Sequence, residues 1–124
     1  TPAPQVLRWV AARPPDRLFL SVITLGELAK GVARLADGRK RQRLARWLAE
    51  DLPARFAGRV LAVDQAVAVR WGLMMAEAER RGRPRPAVDL QIAATASHLG
   101  LALVTRNTGD FEGLGLEIVN PWEE

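Results

Sequence analysis

Three acidic residues have types and positions that could do chemistry. Asp89 is the one charge in the otherwise uncharged stretch PAVDLQIAATASHLG at residues 86–100, and Glu27 and Asp110 each follow a predicted strand. Carboxylate oxygens and water are the ligands that Mg²⁺ and Mn²⁺ prefer. If the three carboxylates converge, a bound ion could activate water and stabilise the charge on a phosphate under attack. The chemistry they predict is hydrolysis of a phosphodiester bond.

Asp89 is the most unusual of the three because of the helix face on which it lies. At 100° per residue it shares a face with Ile92, Ala93 and Ala96, which predicts a buried stripe. An ionised carboxylate on such a stripe costs on the order of several kcal/mol unless a positive or hydrogen-bonding group meets it. A metal ion would satisfy the charge. The alternative is an acid in a first helical turn, stabilised by the helix dipole and the free N–H groups.

The other acids also have purely structural interpretations. Thr24 and Glu27 have the spacing of a capping box, in which Glu27 would accept from the Thr24 backbone. Asp110 could organise the NTGDF turn that starts at Asn107. Asp64 follows a strand as well, but it is most simply a helix N-cap and lies outside the predicted site.

Strands and helices alternate along the chain. The predicted strands are 18–23, 59–63, 101–105 and 117–120. The predicted helices are 5–12, 24–35, 65–81 and the helix that contains Asp89. A further helix is predicted between 35 and 65; it is capped by Asp37, interrupted near Pro53 and ends near Gly58. This alternation predicts βαβ units, hence a parallel sheet covered on both faces. In such a sheet, residues after a strand and the first turn of a returning helix lie at the same edge, where ligands bind. Glu27, Asp89 and Asp110 are all predicted at that edge.

Composition narrows the class of protein. The chain has 124 residues, is 48% hydrophobic and fits one compact domain, residues 1–124. It has no cysteine and a single histidine, His98, so thiolate sites, multi-histidine zinc sites and a Ser-His-Asp triad have no support. No apolar run reaches the ~20 residues that span a bilayer, and no signal peptide pattern is present, so a cytoplasmic protein is expected.

No G-x-G-x-x-G or P-loop motif follows a predicted strand, which argues against the binding of a nucleotide cofactor.

Basic residues are in excess and suit a polyanionic partner. The net charge is +4, mostly from arginine. One basic cluster begins the helix after Asp37 and is interpreted as a solvated face. A second precedes Asp89, where Arg83 and Arg85 are candidates for contact with an RNA backbone, and Arg106 is the strongest candidate because it follows a strand at the predicted edge. The first cluster is Arg39, Lys40, Arg41, Arg43 and Arg46, and the second is Arg80, Arg81, Arg83 and Arg85.

The order of motifs resembles a known family over nearly the whole chain. LFLSVITLGELAKGVARL and GRPRPAVDLQIAATASHLGLALVTRNTGDFEGLGLEIVNPW, with the spacing between them, are similar to the PIN-domain ribonucleases, closest to the VapC/FitB-type toxins of bacterial toxin–antitoxin pairs. The resemblance implies a PIN-like three-layer α/β/α fold with a central parallel sheet. It also implies an acidic Mg²⁺ or Mn²⁺ centre, cleavage of RNA, homodimers, and inhibition by a cognate antitoxin whose tail covers the site.

The resemblance also implies roles for individual residues. Asp89 corresponds to a direct metal ligand, Glu27 to a ligand directly or through water, and Asp110 to a second-site or water-mediated ligand. Asn107 takes the polar position beside the last acid. Thr105 is placed to orient the water or a carboxylate.

One departure from the family pattern concerns the N-terminus. Such proteins usually open with a short central strand ending in LDTN, whose Asp is a principal ligand, whereas this sequence begins TPAPQV. Loss of that strand would leave two sheet halves with unpaired backbone groups. The expectation is therefore an N-terminal segment outside this sequence. The alternative is a truncated, inactive form that needs a complementing strand and acts as an RNA- or protein-binding module.

Overall fold

The structure is a computed structural model that describes residues 4–123, with backbone alone for 4–7. The α-helices are α1 (Pro4–Ala11), α2 (Val22–Ala33), α3 (Arg39–Arg46), α4 (Leu52–Arg55), α5 (Gln65–Arg80) and α6 (Ala87–Leu99). The strands are β1 (Leu20–Ser21), β2 (Val60–Leu61), β3 (Leu103–Val104) and β4 (Ile118–Val119). A π-helical segment, Trp47–Asp51, and two 3-10 turns, Pro15–Arg17 and Thr108–Phe111, complete the elements. Within the described range, no helix has both the length and the apolar character needed to cross a membrane.

The strands pair in parallel, as the alternation with helices predicted. β1 pairs with β2, with Leu20 opposite Val60, and β3 pairs with β4, with Leu103 opposite Ile118. Among residues 4–123 the strands form two ladders of two strands each. Each ladder is only two residues long, and so small a sheet is stable only when helices pack beside it.

The start of α2 corrects two sequence predictions. Residues 22 and 23, predicted as strand, are helical because Ser21 caps the helix: its hydroxyl accepts from the Ile23 N–H at 3.1 Å. The Thr24–Glu27 capping box is therefore wrong, since Thr24 already lies inside the helix. Glu27 lies in the second turn of α2, not in the first.

The helical region from 39 to 55 also differs from its prediction. Gly38 occupies the N-cap position of α3 without a side-chain cap, so the predicted cap at Asp37 is wrong. The interruption expected at Pro53 takes the form of the π-helical segment Trp47–Asp51 before it, and Pro53 is accommodated in the first turn of α4. Asp64 caps α5 as predicted, with its carboxylate accepting from the Val67 N–H at 2.9 Å.

The chain divides into two compact units. One unit spans Thr1–Pro15 and Val63–Glu124, and the other spans Asp16–Ala62. We call them the α5–α6 unit and the β1–β2 unit. One domain for residues 1–124 stays a prediction.

The α5–α6 unit has its core at the contact between its two long helices. Leu90, Ala93 and Ala94 of α6 are 0% exposed and Val67 of α5 is 1% exposed, so small side chains let the helices approach closely. Of the face predicted to be buried, Ala93 and Ala96 are buried and Ile92 is half-buried, and burial extends beyond that face to Leu90, Ala94 and Thr95. Asp89 lies at the N-terminal end of that face.

Glycines end both helices and fix the loop that leads to Asp89. Gly82 follows α5 with φ +67°, and the Arg83 N–H donates to the Ala78 carbonyl at 2.9 Å. Gly100 ends α6 with φ +67°, a conformation that favours glycine, and the Leu101 N–H donates to the Ala96 carbonyl at 2.9 Å. The turn at Gly82 directs the chain into the 83–86 loop and from there into α6.

Truncation of Leu90 tests this core. We expect Leu90→Ala to lower the free energy of unfolding by about 2–5 kcal/mol, because it removes a fully buried side chain and leaves a cavity beside α5. Leu99→Ala, on the same helix at a residue that is 47% exposed, is the matched control and should cost much less. The measurement is urea denaturation followed by tryptophan fluorescence. Equal losses for the two variants would contradict the packing.

Candidate functional site

Asp89 lies in the first turn of α6 and is half-buried. Burial raises the pKa of its carboxyl group, the Asp110 carboxylate raises it further, and the positive charge of Arg85 acts in the opposite direction. The positive charge of Arg85 therefore does not offset the effects of burial and of Asp110 on the charged form. Asp89 is both a first-turn acid and an acid whose negative charge is incompletely compensated.

Asp110 is the acid that the fold brings to Asp89. It lies in the 3-10 turn Thr108–Phe111, which follows β3, and its side chain is exposed. Its main-chain N–H donates to the Asn107 carbonyl at 3.1 Å, while the buried side chain of Phe111, 5% exposed, anchors the turn in the core. The Arg85 guanidinium, four residues before Asp89, donates to the Asp110 carbonyl, so the turn after β3 lies beside the start of α6.

Thr105 and Asn107 shape the backbone between β3 and Asp110. The Thr105 N–H donates to the Val119 carbonyl at 3.0 Å, which continues the pairing of β3 with β4. The Thr105 hydroxyl accepts from the Asn107 N–H at 3.1 Å. The hydroxyl therefore fixes the first bend of the loop, and the exposed Asn107 begins the turn that carries Asp110.

The three candidate RNA-binding arginines have different surroundings. Arg85 is half-buried, and its guanidinium donates to the main-chain carbonyls of Asp110, at 2.5 Å, and of Glu112. Arg106 is exposed, with its guanidinium carbon 5.9 Å from the ring centroid of Trp122. Arg83 is exposed in the loop before α6. RNA contact stays a prediction for all three, and Arg85 has in addition a structural task that the sequence did not indicate.

Glu27 belongs to the β1–β2 unit, where it is exposed on α2. Within residues 4–123, no group of three or more histidine, aspartate or glutamate side chains is arranged to hold a metal ion. The structure therefore shows a pair, Asp89 and Asp110, and does not show the predicted centre of three acids. Sequence order could place each acid after a strand or in a helical turn, but it carries no distances.

The pair nevertheless fits a divalent cation in its chemistry. Both ligands are carboxylates, and the pKa of one is raised by burial and by the charge of the other. A cation bound between them would offset both effects, since opposite charge nearby favours the ionised form. An oxygen-only donor set favours Mg²⁺ or Mn²⁺ over softer metals.

A cavity lined in part by Arg85 was missed by sequence reasoning. It has a volume of about 260 Å³ and lies where the end of α5 and the loop before α6 meet residues 113–114. Its charged lining residues are Glu77, Arg81, Arg83 and Arg85. Arg81 is paired with Glu77 at 2.9 Å, so part of its positive charge is neutralised within the protein. The basic cluster before Asp89 was the available signal, but sequence does not tell which arginines are already paired.

Asp89→Asn should change how stability depends on pH in the metal-free protein. Because the folded state raises the pKa of Asp89, the folded protein binds that proton more tightly than the unfolded chain does. The wild type therefore loses stability as pH rises through the interval from the ordinary aspartate range up to the raised pKa. Asparagine has no such proton. In EDTA we expect the stability of the variant to increase relative to that of the wild type as the pH rises above the ordinary aspartate range. The increase should be less than about 1 kcal/mol, because the half-buried carboxylate is screened by water.

The measurement is chemical denaturation at a series of pH values. Asp37→Asn removes the same formal charge from an exposed loop position and is the control. A gain at neutral pH as large for Asp37→Asn as for Asp89→Asn would contradict a local cause at Asp89.

Comparisons with known proteins give the family. The PIN domain profile matches residues 2–115. The chain is 38% identical over 118 residues to the VapC ribonuclease Y4jK of Sinorhizobium fredii, covering 95% of this chain and 84% of that protein. It is 35% identical over 123 residues to the toxin FitB of Neisseria gonorrhoeae, covering 99% and 88%. The crystal structure of FitAcB from Neisseria gonorrhoeae has a TM-score of 0.91 and 35% identity, covering all of this chain and 89% of that chain.

The profile match covers most of the sequence, and the two relatives match it over almost its full length. The likeness to a solved structure shows a shared fold over the whole chain. The chain belongs to the PIN-domain family.

Proposed function

We propose that this protein is a metal-dependent endoribonuclease toxin that hydrolyses RNA phosphodiester bonds and is neutralised by a cognate antitoxin. The observation that carries the proposal is that Arg85, in the loop before α6, bonds to the Asp110 carbonyl and so brings the turn that carries Asp110 to the start of α6, where Asp89 lies. Burial and, next, the Asp110 carboxylate raise the pKa of Asp89. The relatives support it: one is named a ribonuclease and the other a toxin, and the match to each is nearly full-length. PIN-domain ribonucleases are generally metal-dependent. The antitoxin and a second copy of the chain are the proposed protein partners.

Asp89 and Asp110 would hold the ion, with Glu27 as a further ligand directly or through water. Mg²⁺ or Mn²⁺ bound there supplies positive charge to the phosphate and acidifies water. Asn107 would orient the scissile phosphate or its water, because its side chain is exposed and its position is fixed by the Thr105 hydroxyl. Thr105 acts through that loop.

Arg106 and Arg83 would bind the RNA backbone. Both guanidinium groups are exposed and belong to the loops that carry Asp110 and precede Asp89, respectively. Contacts of this kind position a nucleic acid without reading its sequence. They would place a phosphate at the carboxylate pair.

Asp89→Asn should abolish cleavage by the purified protein. The variant keeps the shape of the side chain and removes the charge that holds the ion. Loss of several kcal/mol of metal-derived stabilisation corresponds to a rate lower by about a thousandfold or more. The measurement is cleavage of labelled RNA with Mg²⁺ or Mn²⁺, with EDTA as a second condition that should stop the reaction.

Asp37→Asn, with an unchanged site, should cleave like the wild type. Cleavage by Asp89→Asn at the wild-type rate would overturn the assignment of the site. A second candidate function is an RNA- or protein-binding module without catalysis, which is favoured by the absence of a group of three potential ligands within residues 4–123. RNA binding that persists in EDTA, with no cleavage at any Mg²⁺ or Mn²⁺ concentration, would establish that function instead.

Arg106→Gln should weaken RNA binding and reduce the dependence of RNA affinity on salt concentration. For single-stranded RNA, each lost phosphate contact reduces the slope of log affinity against log salt by about 0.7. Arg106→Lys keeps the charge and should keep the slope. The measurement is fluorescence anisotropy with labelled RNA in EDTA, where binding is separated from cleavage. Identical slopes for Arg106→Gln and the wild type would remove Arg106 from the RNA contact surface.

A further inference from the structure

We propose that Arg85 is a positioning residue that sets the separation of the Asp89 and Asp110 carboxylates by tethering the turn after β3 to the start of α6. This rests on the proposed function, since the pair it positions is the proposed site of the divalent ion. The proposal follows from which atoms the Arg85 guanidinium contacts.

Arg85 binds the main chain of the turn and leaves its acid free. One guanidinium nitrogen donates to the Asp110 carbonyl at 2.5 Å and another to the Glu112 carbonyl. Gly113, with φ +78°, lies against the same group: a Cβ built there would be 3.8 Å from the Arg85 Nη2. Within residues 4–123 no hydrogen bond or ion pair engages the Asp110 carboxylate, so it can still bind a cation.

The other end of the tether is held rigidly. Arg85 lies between Pro84 and Pro86, whose rings fix φ, and Pro86 is the residue that precedes α6. The Leu90 N–H donates to the Pro86 carbonyl at 3.2 Å, and Leu90 is fully buried. A guanidinium anchored to this segment therefore transmits the position of α6, and of Asp89 within it, to the turn that carries Asp110.

The geometry of the contact requires arginine. Two carbonyl oxygens two residues apart are reached by the two terminal nitrogens of one planar guanidinium, whereas a lysine ammonium acts as a point charge and cannot span both in the same way. The positive charge of Arg85 also lowers the energy of the ionised Asp89. Substitutions of Arg85 that keep or remove its positive charge can therefore separate its positioning role from its effect on the charge of Asp89.

The two roles predict opposite effects on metal affinity. If Arg85 acts only as a nearby positive charge or as an RNA contact, then Arg85→Met removes a repulsion and Mn²⁺ should bind as tightly as before or more tightly. If Arg85 positions the carboxylates, Arg85→Met should weaken Mn²⁺ binding by about 10- to 100-fold, as is usual when a partner that orients metal ligands is lost. Arg85→Lys, which keeps the charge and loses the fork, should weaken it as well.

The experiment measures Mn²⁺ affinity of the purified full chain by electron paramagnetic resonance of free Mn²⁺. Arg81→Met is the matched control, because it removes one arginine charge from the lining of the same cavity without touching the turn. We expect it to leave Mn²⁺ affinity unchanged or slightly increased. Unchanged or tighter Mn²⁺ binding by Arg85→Met overturns the proposal while the proposed function stands.

Amide hydrogen exchange provides a readout that needs no metal. Arg85→Met should speed exchange at Asp110, whose N–H is bonded to the Asn107 carbonyl, and leave α5 unaffected. Phe111 still anchors the turn, so the variant should remain folded. A wild type that neither binds Mn²⁺ nor cleaves RNA overturns the proposed function, and exchange at Asp110 then decides separately whether Arg85 holds the turn. Exchange equal to that of the wild type shows that it does not.

Discussion

Repulsion between two carboxylates is the constraint on which the site depends. Asp89 and Asp110 come from different segments of the chain, and the pKa of Asp89 is raised first by its burial and then by the Asp110 carboxylate. Such a pair is kept together only if the backbone on each side is anchored more strongly than the charges repel. α6 is anchored through the fully buried Leu90, and the turn through Phe111. Positive charge arriving at the pair would turn this repulsion into attraction for a shared ion.

The way Arg85 compensates the pair preserves its capacity to bind a cation. Had its guanidinium paired with the Asp110 carboxylate, the ion pair would compete directly with any metal. Instead it donates to main-chain carbonyls, which stabilises the turn and leaves the carboxylate exposed. Thr105 works in a similar way, since its hydroxyl accepts from the Asn107 main-chain N–H and fixes the loop without engaging the side chains of Asn107 or Asp110. Arg85 and Thr105 thus form hydrogen bonds with the main chain of the loop, and the Asp110 carboxylate remains free to bind a cation.

Helix packing contributes most of the buried surface around this site, and the strands mainly set the path of the chain into the turn that carries Asp110. β3 and β4 are two residues long, whereas α5 and α6 bury a continuous set of small side chains between them. Close helix packing gives the start of α6 a defined position, and the short parallel pair delivers the Asp110 turn to the same edge. Arg85 lies beside this pair, and the exposed Arg83 and Arg106 belong to the loops next to it, an arrangement that suits a polyanionic substrate bound through an ion.

The amino-acid sequence by itself determined the alternation of strands and helices, the parallel pairing, the burial of Ala93 and Ala96 on α6 and the cap at Asp64. These follow from periodicity and from chain order, which are local or topological properties. Only the tertiary structure decided that Ser21 and not Thr24 caps α2, that a π-helical segment precedes Pro53, and that Arg85 bonds to the turn after β3. Each of these depends on which side chain or backbone group lies within hydrogen-bond distance of a given backbone atom in the folded protein. Composition and residue spacing do not determine that distance.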